Sequence, residues 1–241
     1  MTERGARSLR REPDRLAIGP SALAWDGAAL TLDIEERGAP WPARVAGRIR
    51  LEPLAVHTTA HALDAGGRHH WTPIAPMARV SVDLAQPASR WTGSAYFDCN
   101  AGSRPLERDF ARWHWSRRAP SAAIDGASTA ILYDVERLDG TRHAIALDVP
   151  AGGGAPRAFE APPFRPLPPT RWRVARSTRA DAGTSPTVLR TLEDGPFYAR
   201  SVIRSTLGDV TADAVHESLD LRRFARPWVQ AMLPFRVPRR P

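Results

Sequence analysis

Two stretches of the 241-residue chain set titratable side chains beside aromatic ones. The first is Arg68-His69-His70-Trp71-Thr72-Pro73-Ile74-Ala75-Pro76. The second is Trp91-Thr92-Gly93-Ser94-Ala95-Tyr96-Phe97-Asp98-Cys99-Asn100, followed by Trp113-His114-Trp115. Alternate side chains of an extended strand share a face, so His69 goes with Trp71 and Tyr96 with Asp98. Each pair brings an acid or a base to an aromatic surface, the raw material of proton transfer. The residues alone leave a plainer reading open. Asp98, ahead of Asn100 and Gly102, then closes a strand in a turn, and Trp71 is a core residue.

Other chemistries lack their residues. The chain has no G-x-S-x-G elbow, no Walker loop and no G-x-G-x-x-G opening a helix. Gly152-Gly153-Gly154 has no helix after it, so it is a weak phosphate loop. His57 and His61 are four apart but belong to no H-E-x-x-H and have no third ligand nearby, so they read as solvated or structural, and no metal site is expected. A single cysteine, Cys99, excludes a disulfide framework and a Cys-based zinc cluster. The net charge of +8 comes from 34 basic residues, all arginine, interleaved with 26 acids. A nucleic-acid groove would gather them, so nucleic acid is not an expected partner. A GC-rich coding bias accounts for arginine without lysine.

The elements that must carry these residues are strands. Leu30, Leu32 and Ile34 alternate with Thr31, Asp33 and Glu35, and Val80, Val82 and Leu84 repeat the pattern. Ile131 to Val149 holds two such runs joined by Leu138-Asp139-Gly140-Thr141, and Val202 to Leu207 and Ala214 to Leu221 flank a Gly208-Asp209 turn. Five prolines in Ala161 to Thr170 forbid a helix there. Helix is expected only as a turn or two within Leu106 to Trp115, and in Leu221 to Met232, interrupted at Pro227. No apolar run approaches the roughly 18 residues of a membrane span. Met1 to Arg15 is polar and Arg-rich, so no cleaved secretory signal is expected and cytosolic exposure is the default. The fold class predicted is all-β and antiparallel, a barrel or sandwich.

Longer blocks carry a resemblance. They include Leu16-Ala17-Ile18-Gly19-Pro20-Ser21-Ala22-Leu23, Trp71-Thr72-Pro73-Ile74-Ala75-Pro76, Tyr96-Phe97-Asp98-Cys99-Asn100 and Ile131-Leu132-Tyr133-Asp134-Val135. Pro168-Pro169-Thr170-Arg171-Trp172, Arg190-Thr191-Leu192-Glu193-Asp194, Pro196-Phe197-Tyr198-Ala199-Arg200-Ser201 and the tail from Arg223 to Pro234 follow in order. Through them nearly the whole chain resembles the carotenoid 1,2-hydratase (hydroxyneurosporene synthase) family. The resemblance implies two lipocalin-like β-domains, at 1–104 and 105–241, and an enzyme without a cofactor that adds water to the terminal C1=C2 bond of acyclic carotenoids. It implies Asp98 as the acid, with Tyr96, His69 and Trp71 as companions; Asp134, next to Tyr133, is the acid to test should Asp98 prove not to be it. Family members carry well over a hundred residues ahead of this start, so the first domain is expected to be incomplete.

The residues suit that chemistry. Protonating C2 leaves a tertiary cation at C1, which aromatic faces such as Trp71 and Tyr96 stabilise. An apolar surround of Trp91, Tyr96 and Phe97 would favour the protonated form of Asp98. His69 would orient or deprotonate the water. Because the substrate dissolves in bilayers, peripheral association with the cytoplasmic face of the inner, photosynthetic membrane is expected. Arg222 to Arg240, with Phe224, Trp228, Met232, Leu233 and Phe235, is the candidate contact. The competing reading is a non-catalytic lipocalin-like carrier of an apolar isoprenoid.

Overall fold

The computed structural model of the chain describes residues 4–38, 42–118 and 128–233, which are mostly antiparallel strand. The first eight strands are β1 (Leu9–Arg11), β2 (Arg15–Ile18), β3 (Ser21–Trp25), β4 (Leu30–Arg37), β5 (Arg44–Pro53), β6 (His61–Ala62), β7 (His69–Gln86) and β8 (Ala88–Gly102). They form one sheet in the order β1-β2-β3-β4-β5-β7-β6, with β8 also on β7. Then come β9 (Phe110–Arg118), β10 (Ser128–Arg137), β11 (Arg142–Pro150), β12 (Arg157–Ala158), β13 (Phe164–Leu167), β14 (Arg176–Arg179), β15 (Thr187–Asp194), β16 (Tyr198–Leu207) and β17 (Val210–Asp220). Seven of these form a sheet ordered β12-β11-β10-β9-β17-β16-β15, and β13 pairs with β14 apart from it.

The all-β, antiparallel expectation holds, but neither sheet closes into a barrel. Closure requires terminal strands that pair along their length. Here β1, β6 and β12 have three, two and two residues.

Period two explains the strands. Along β16, Ala199, Ser201, Ile203, Ser205 and Leu207 are buried, while Arg200 and Arg204 are exposed. Its hairpin to β17 turns on Gly208 and Asp209, at φ 59° and 63°, between the paired Leu207 and Val210. Two positive φ values give the primed turn whose twist suits paired strands. The helix expected within Leu106 to Trp115 shrinks to one 3-10 turn at Leu106–Arg108, because Phe110 onward is strand. Strand β9 pairs with both β10 and β17, and that pairing overrides local preference. At the other end the break at Pro227 separates α1 (Leu221–Phe224) from α2 (Pro227–Met232). Asp220 Oδ1 caps α1 by accepting from the Arg223 backbone N–H at 3.0 Å.

Packing sorts the chain into two units with interleaved limits. The first takes the described residues of Met1–Val56, Ala75–Phe97 and Gln230–Pro241; the second takes His57–Ile74 and Asp98–Val229. A core of the first is Leu51, Ala75 and Ala78 with Leu30, Ala95 and Phe97. In the second, Ala130, Leu132, Ala146 and Leu207 pack together, as do Leu167, Ile203 and Ala214. Every strand of the eight-stranded sheet ends before Ser103 and every later strand starts after Asp109. A division at 104–105 is thus a proposal about sheets rather than about packing units.

Candidate active site

Within the second unit, the start of β7 and the end of β8 bring Trp71 to Asp98. The Trp71 indole, fully buried, donates Nε1–H to Asp98 Oδ2 at 2.8 Å, and the aspartate is half-buried. Two more strands supply an aromatic wall. The Tyr133 ring on β10 lies 5.2 Å from that of Trp71, tilted by 49°, and the Trp113 ring on β9 lies 5.8 Å from Tyr133. Tyr133 is buried, and its hydroxyl donates to Asn100 Oδ1 at 3.1 Å. Burial pushes the Tyr133 phenol well above its ordinary range, and the nearby Asp98 charge pushes the same way, so Tyr133 stays neutral. On the other flank, β6 places His61 directly opposite Trp71, ring centroids 5.6 Å apart.

His69 is buried but faces different company. Its Nε2 is 2.7 Å from Asp109 Oδ2, and its ring meets Phe110 edge-on at 4.9 Å. Arg104 grips Asp109 through Nε at 2.5 Å and through a second guanidinium nitrogen, and Arg68 approaches to 3.5 Å. The Arg104 hydrogen bonds, with help from His69, hold the Asp109 carboxyl far below the usual carboxylate range despite its burial. Gly102 completes the setting, since a Cβ there would sit 2.6 Å from His69 Nδ1. Just upstream, buried Asp64 accepts from the backbone N–H groups of Gly66, Arg68 and His69, fixing the turn into β7. Burial works against the Asp64 charge, and these backbone bonds more than offset it, leaving its pKa lowered.

The expected site residues therefore fall into three settings. Trp71 and Asp98 meet; His69 shares their unit but is engaged with Asp109; Tyr96, half-buried on β8, belongs to the first unit. The surround expected for Asp98 also differs. Trp91 is 51% exposed and Phe97 packs in the first unit's core, whereas Trp71 and Tyr133 lie beside the carboxyl. Asp134 is on the opposite strand face from Tyr133, held by Arg179 Nε at 2.7 Å. Burial raises its pKa even though Arg179 opposes the shift. Sequence reasoning named Asn100 and Trp113 in its second stretch and Tyr133 beside Asp134, but gave none of them a role. A phenol inside a strand as apolar as Ile131 to Val135, two strands from another aromatic pair, is the signal that marks Tyr133.

A carboxyl held by an indole, walled by neutral aromatic rings, is suited to donating a proton to an apolar substrate and shielding the cation that results. The family model for the carotenoid hydratase CrtC matches residues 1–241. The chain is 51% identical over 240 residues to the acyclic carotenoid 1,2-hydratase of Thiocapsa roseopersicina, covering 99% of this chain and 58% of that protein. It is 46% identical to the enzyme of that name from Rubrivivax gelatinosus, over 100% of this chain and 58% of the other, so it spans less than two thirds of either. Against the one from Cereibacter sphaeroides, identity is 43% over all of this chain and 84% of the relative. Among solved structures, an AttH candidate from Nitrosomonas europaea aligns with a TM-score of 0.60 at 16% identity, over 88% of this chain and 71% of that one, a likeness of fold alone.

Proposed function

Because the chain belongs to the carotenoid hydratase CrtC family, we propose that it adds water across the terminal C1=C2 bond of acyclic carotenoids such as neurosporene and lycopene. The observation that carries the reading is the indole–carboxyl pair of Trp71 and Asp98 inside the aromatic set with Tyr133 and Trp113. In this scheme the carboxyl of Asp98 carries the proton while its Oδ2 accepts from Trp71. That proton passes to C2, and the electron pair of the double bond forms the new C–H bond, leaving a tertiary cation at C1. Aromatic faces attract a nearby cation without bonding to it, at about 0.5–2 kcal/mol each. Water adds at C1 and gives up a proton, and Asp98 is reprotonated from solvent. Hydration is redox-neutral, so the scheme needs no redox cofactor.

The companions keep distinct parts in this proposal. Tyr96 takes its place by strand alternation, on the same face of β8 as Asp98. His69 acts by position, its ring held by Asp109 so that β7 presents Trp71 correctly. The test is to supply lycopene in liposomes to the purified chain and look for the 1-hydroxy product. Product above a no-protein control supports the hydratase. Lycopene retained on the protein without product returns the chain to the carrier reading.

The substrate's solubility implies a membrane contact. Trp172 and Trp228, 40% and 45% exposed, stack with ring centroids 6.4 Å apart, and Arg223 donates to the Trp172 carbonyl at 2.6 Å. Arg222 and Arg226 lie close along the chain, so indoles at the interface with guanidiniums at anionic headgroups is the arrangement proposed. Phe235 and Arg240 of the expected contact lie outside the described residues. No helix among the described residues is long and apolar enough to cross a membrane. Vesicles containing phosphatidylglycerol should pellet the chain, and Trp172→Ala with Trp228→Ala should release it. Equal pelleting of wild type and variant, or none of either, removes this contact.

A further inference from the structure

The hydratase reading leaves open which group takes the proton that water loses at C1. His69, the obvious imidazole, has its Nε2 committed to Asp109, which two arginines hold in turn. Turning His69 toward water would break a buried charge-assisted bond, at a cost of about 1.5–3 kcal/mol. Its Nδ1 is buried without a hydrogen-bond partner among the described residues, and it faces the Gly102 backbone, where a Cβ would come within 2.6 Å.

A second imidazole sits beside Trp71. Strand β6 has only two residues, yet its pairing with β7 sets His61 opposite Trp71, with the rings 5.6 Å apart and tilted by 40°. Its Nε2 is buried and has no hydrogen-bond partner among the described residues. A buried nitrogen without a partner carries a free-energy cost of about 1–3 kcal/mol, which a bound water would relieve. Trp71 thus has the carboxyl of Asp98 on its Nε1 edge and this imidazole beside its ring. Addition of H and OH to adjacent carbons requires an acid near one carbon and a water-binding base near the other, and Trp71 has a candidate for each beside it.

We propose that His61 is the base of the hydration, binding the attacking water through Nε2 and taking its proton as the C1–O bond forms. This rests on the hydratase reading. The proton passes from water oxygen to Nε2, the oxygen lone pair forms the bond to C1, and the imidazolium then releases its proton to solvent. Burial lowers the His61 pKa, so the ring is neutral at pH 7 and able to accept. In the sequence His61 looked solvated or structural; its register opposite Trp71 changes that reading.

The test separates alkene protonation from water capture. Lycopene is turned over in D2O, and both the hydroxylated product and the deuterium in recovered lycopene are measured by mass spectrometry. In His61→Ala, product should fall about 10²-fold or more, the lower range for a lost general base. Deuterium should still enter recovered lycopene, because Asp98 still protonates C2 and the cation returns to alkene. Added imidazole should restore part of the product. Asp98→Asn should stop both signals. Wild-type-like product from His61→Ala overturns the proposal. So does loss of product and exchange together in a variant that melts like wild type. A wild-type chain giving neither signal fails the hydratase reading itself, a result distinct from the other two.

Discussion

Asp98→Asn should cut carotenoid hydration by about 10²–10⁴-fold, the range for removing a general acid, while leaving the fold and substrate binding in place. The amide has the shape of the carboxyl, and its oxygen can still accept the Trp71 Nε1–H that Asp98 accepts at 2.8 Å. What it lacks is an acidic proton. The loss should therefore fall on kcat, with KM close to wild type, because the missing interaction is made only as the proton moves. Steady-state rates on liposomal lycopene, with melting temperature as the control for folding, check this. A loss under tenfold transfers the acid role to another group. Asp134 is poorly placed to inherit it, since it lies on the far strand face bound to Arg179. Tyr133 would be the next group to vary, being the neutral hydroxyl nearest in setting, bonded to Asn100.

The sequence made the strands legible because their signal is local. Alternation along Val202 to Leu207 and the Gly208-Asp209 pair need only neighbours to be read, and both appear as expected in β16, β17 and their turn. What alternation leaves unread is non-local. Leu106 to Trp115 suggested some helix, but β9 is held by β10 on one side and β17 on the other, a partnership no ten-residue window contains. Barrel closure depends on which strands end each sheet, and alternation is silent on that. The site divides in the same way. Trp71 and Asp98 were visible as residue types, while Tyr133 and Trp113 reach them from a different sheet and His61 through a two-residue strand. Tyr133 and Asp134 are adjacent in sequence, and strand alternation correctly separated them onto opposite faces. The sequence drew attention to the conspicuous carboxylate of that pair rather than to the buried phenol, whose ring lies 5.2 Å from that of Trp71.

On the opposite face of the same strands, a polar core gives the chain a second large expected effect: loss of stability in mild acid. His114 and His216 stack with ring centroids 6.3 Å apart, only 15° from parallel. His114 Nδ1 pairs with Ser218 Oγ at 2.8 Å, and His216 Nε2–H donates to the Ser177 carbonyl at 2.8 Å. Both are buried. Burial, then the charge of His216 and two arginines, pushes His114 down to about 3. Burial takes His216 to about 4, with the Ser177 carbonyl pulling the other way. Unfolded, each titrates near 6.5. Above that value both states are neutral and the full stability is present. As pH falls from about 6.5 toward 4, the unfolded chain binds protons that the folded one refuses, so stability is lost. Each group sets a slope of up to about 1.4 kcal/mol per pH unit. His57 and His61, also lowered by burial, act in the same direction. Asp134, raised by burial, acts in the opposite one, while the lowered Asp109 contributes its loss only below about pH 4. Urea midpoints should therefore drop steeply between pH 7 and pH 5, and His216→Gln, even if less stable at pH 7, should show a shallower drop. A midpoint that holds steady over that range, or a variant with the wild-type slope, would mean that the stacked pair is protonated inside the fold.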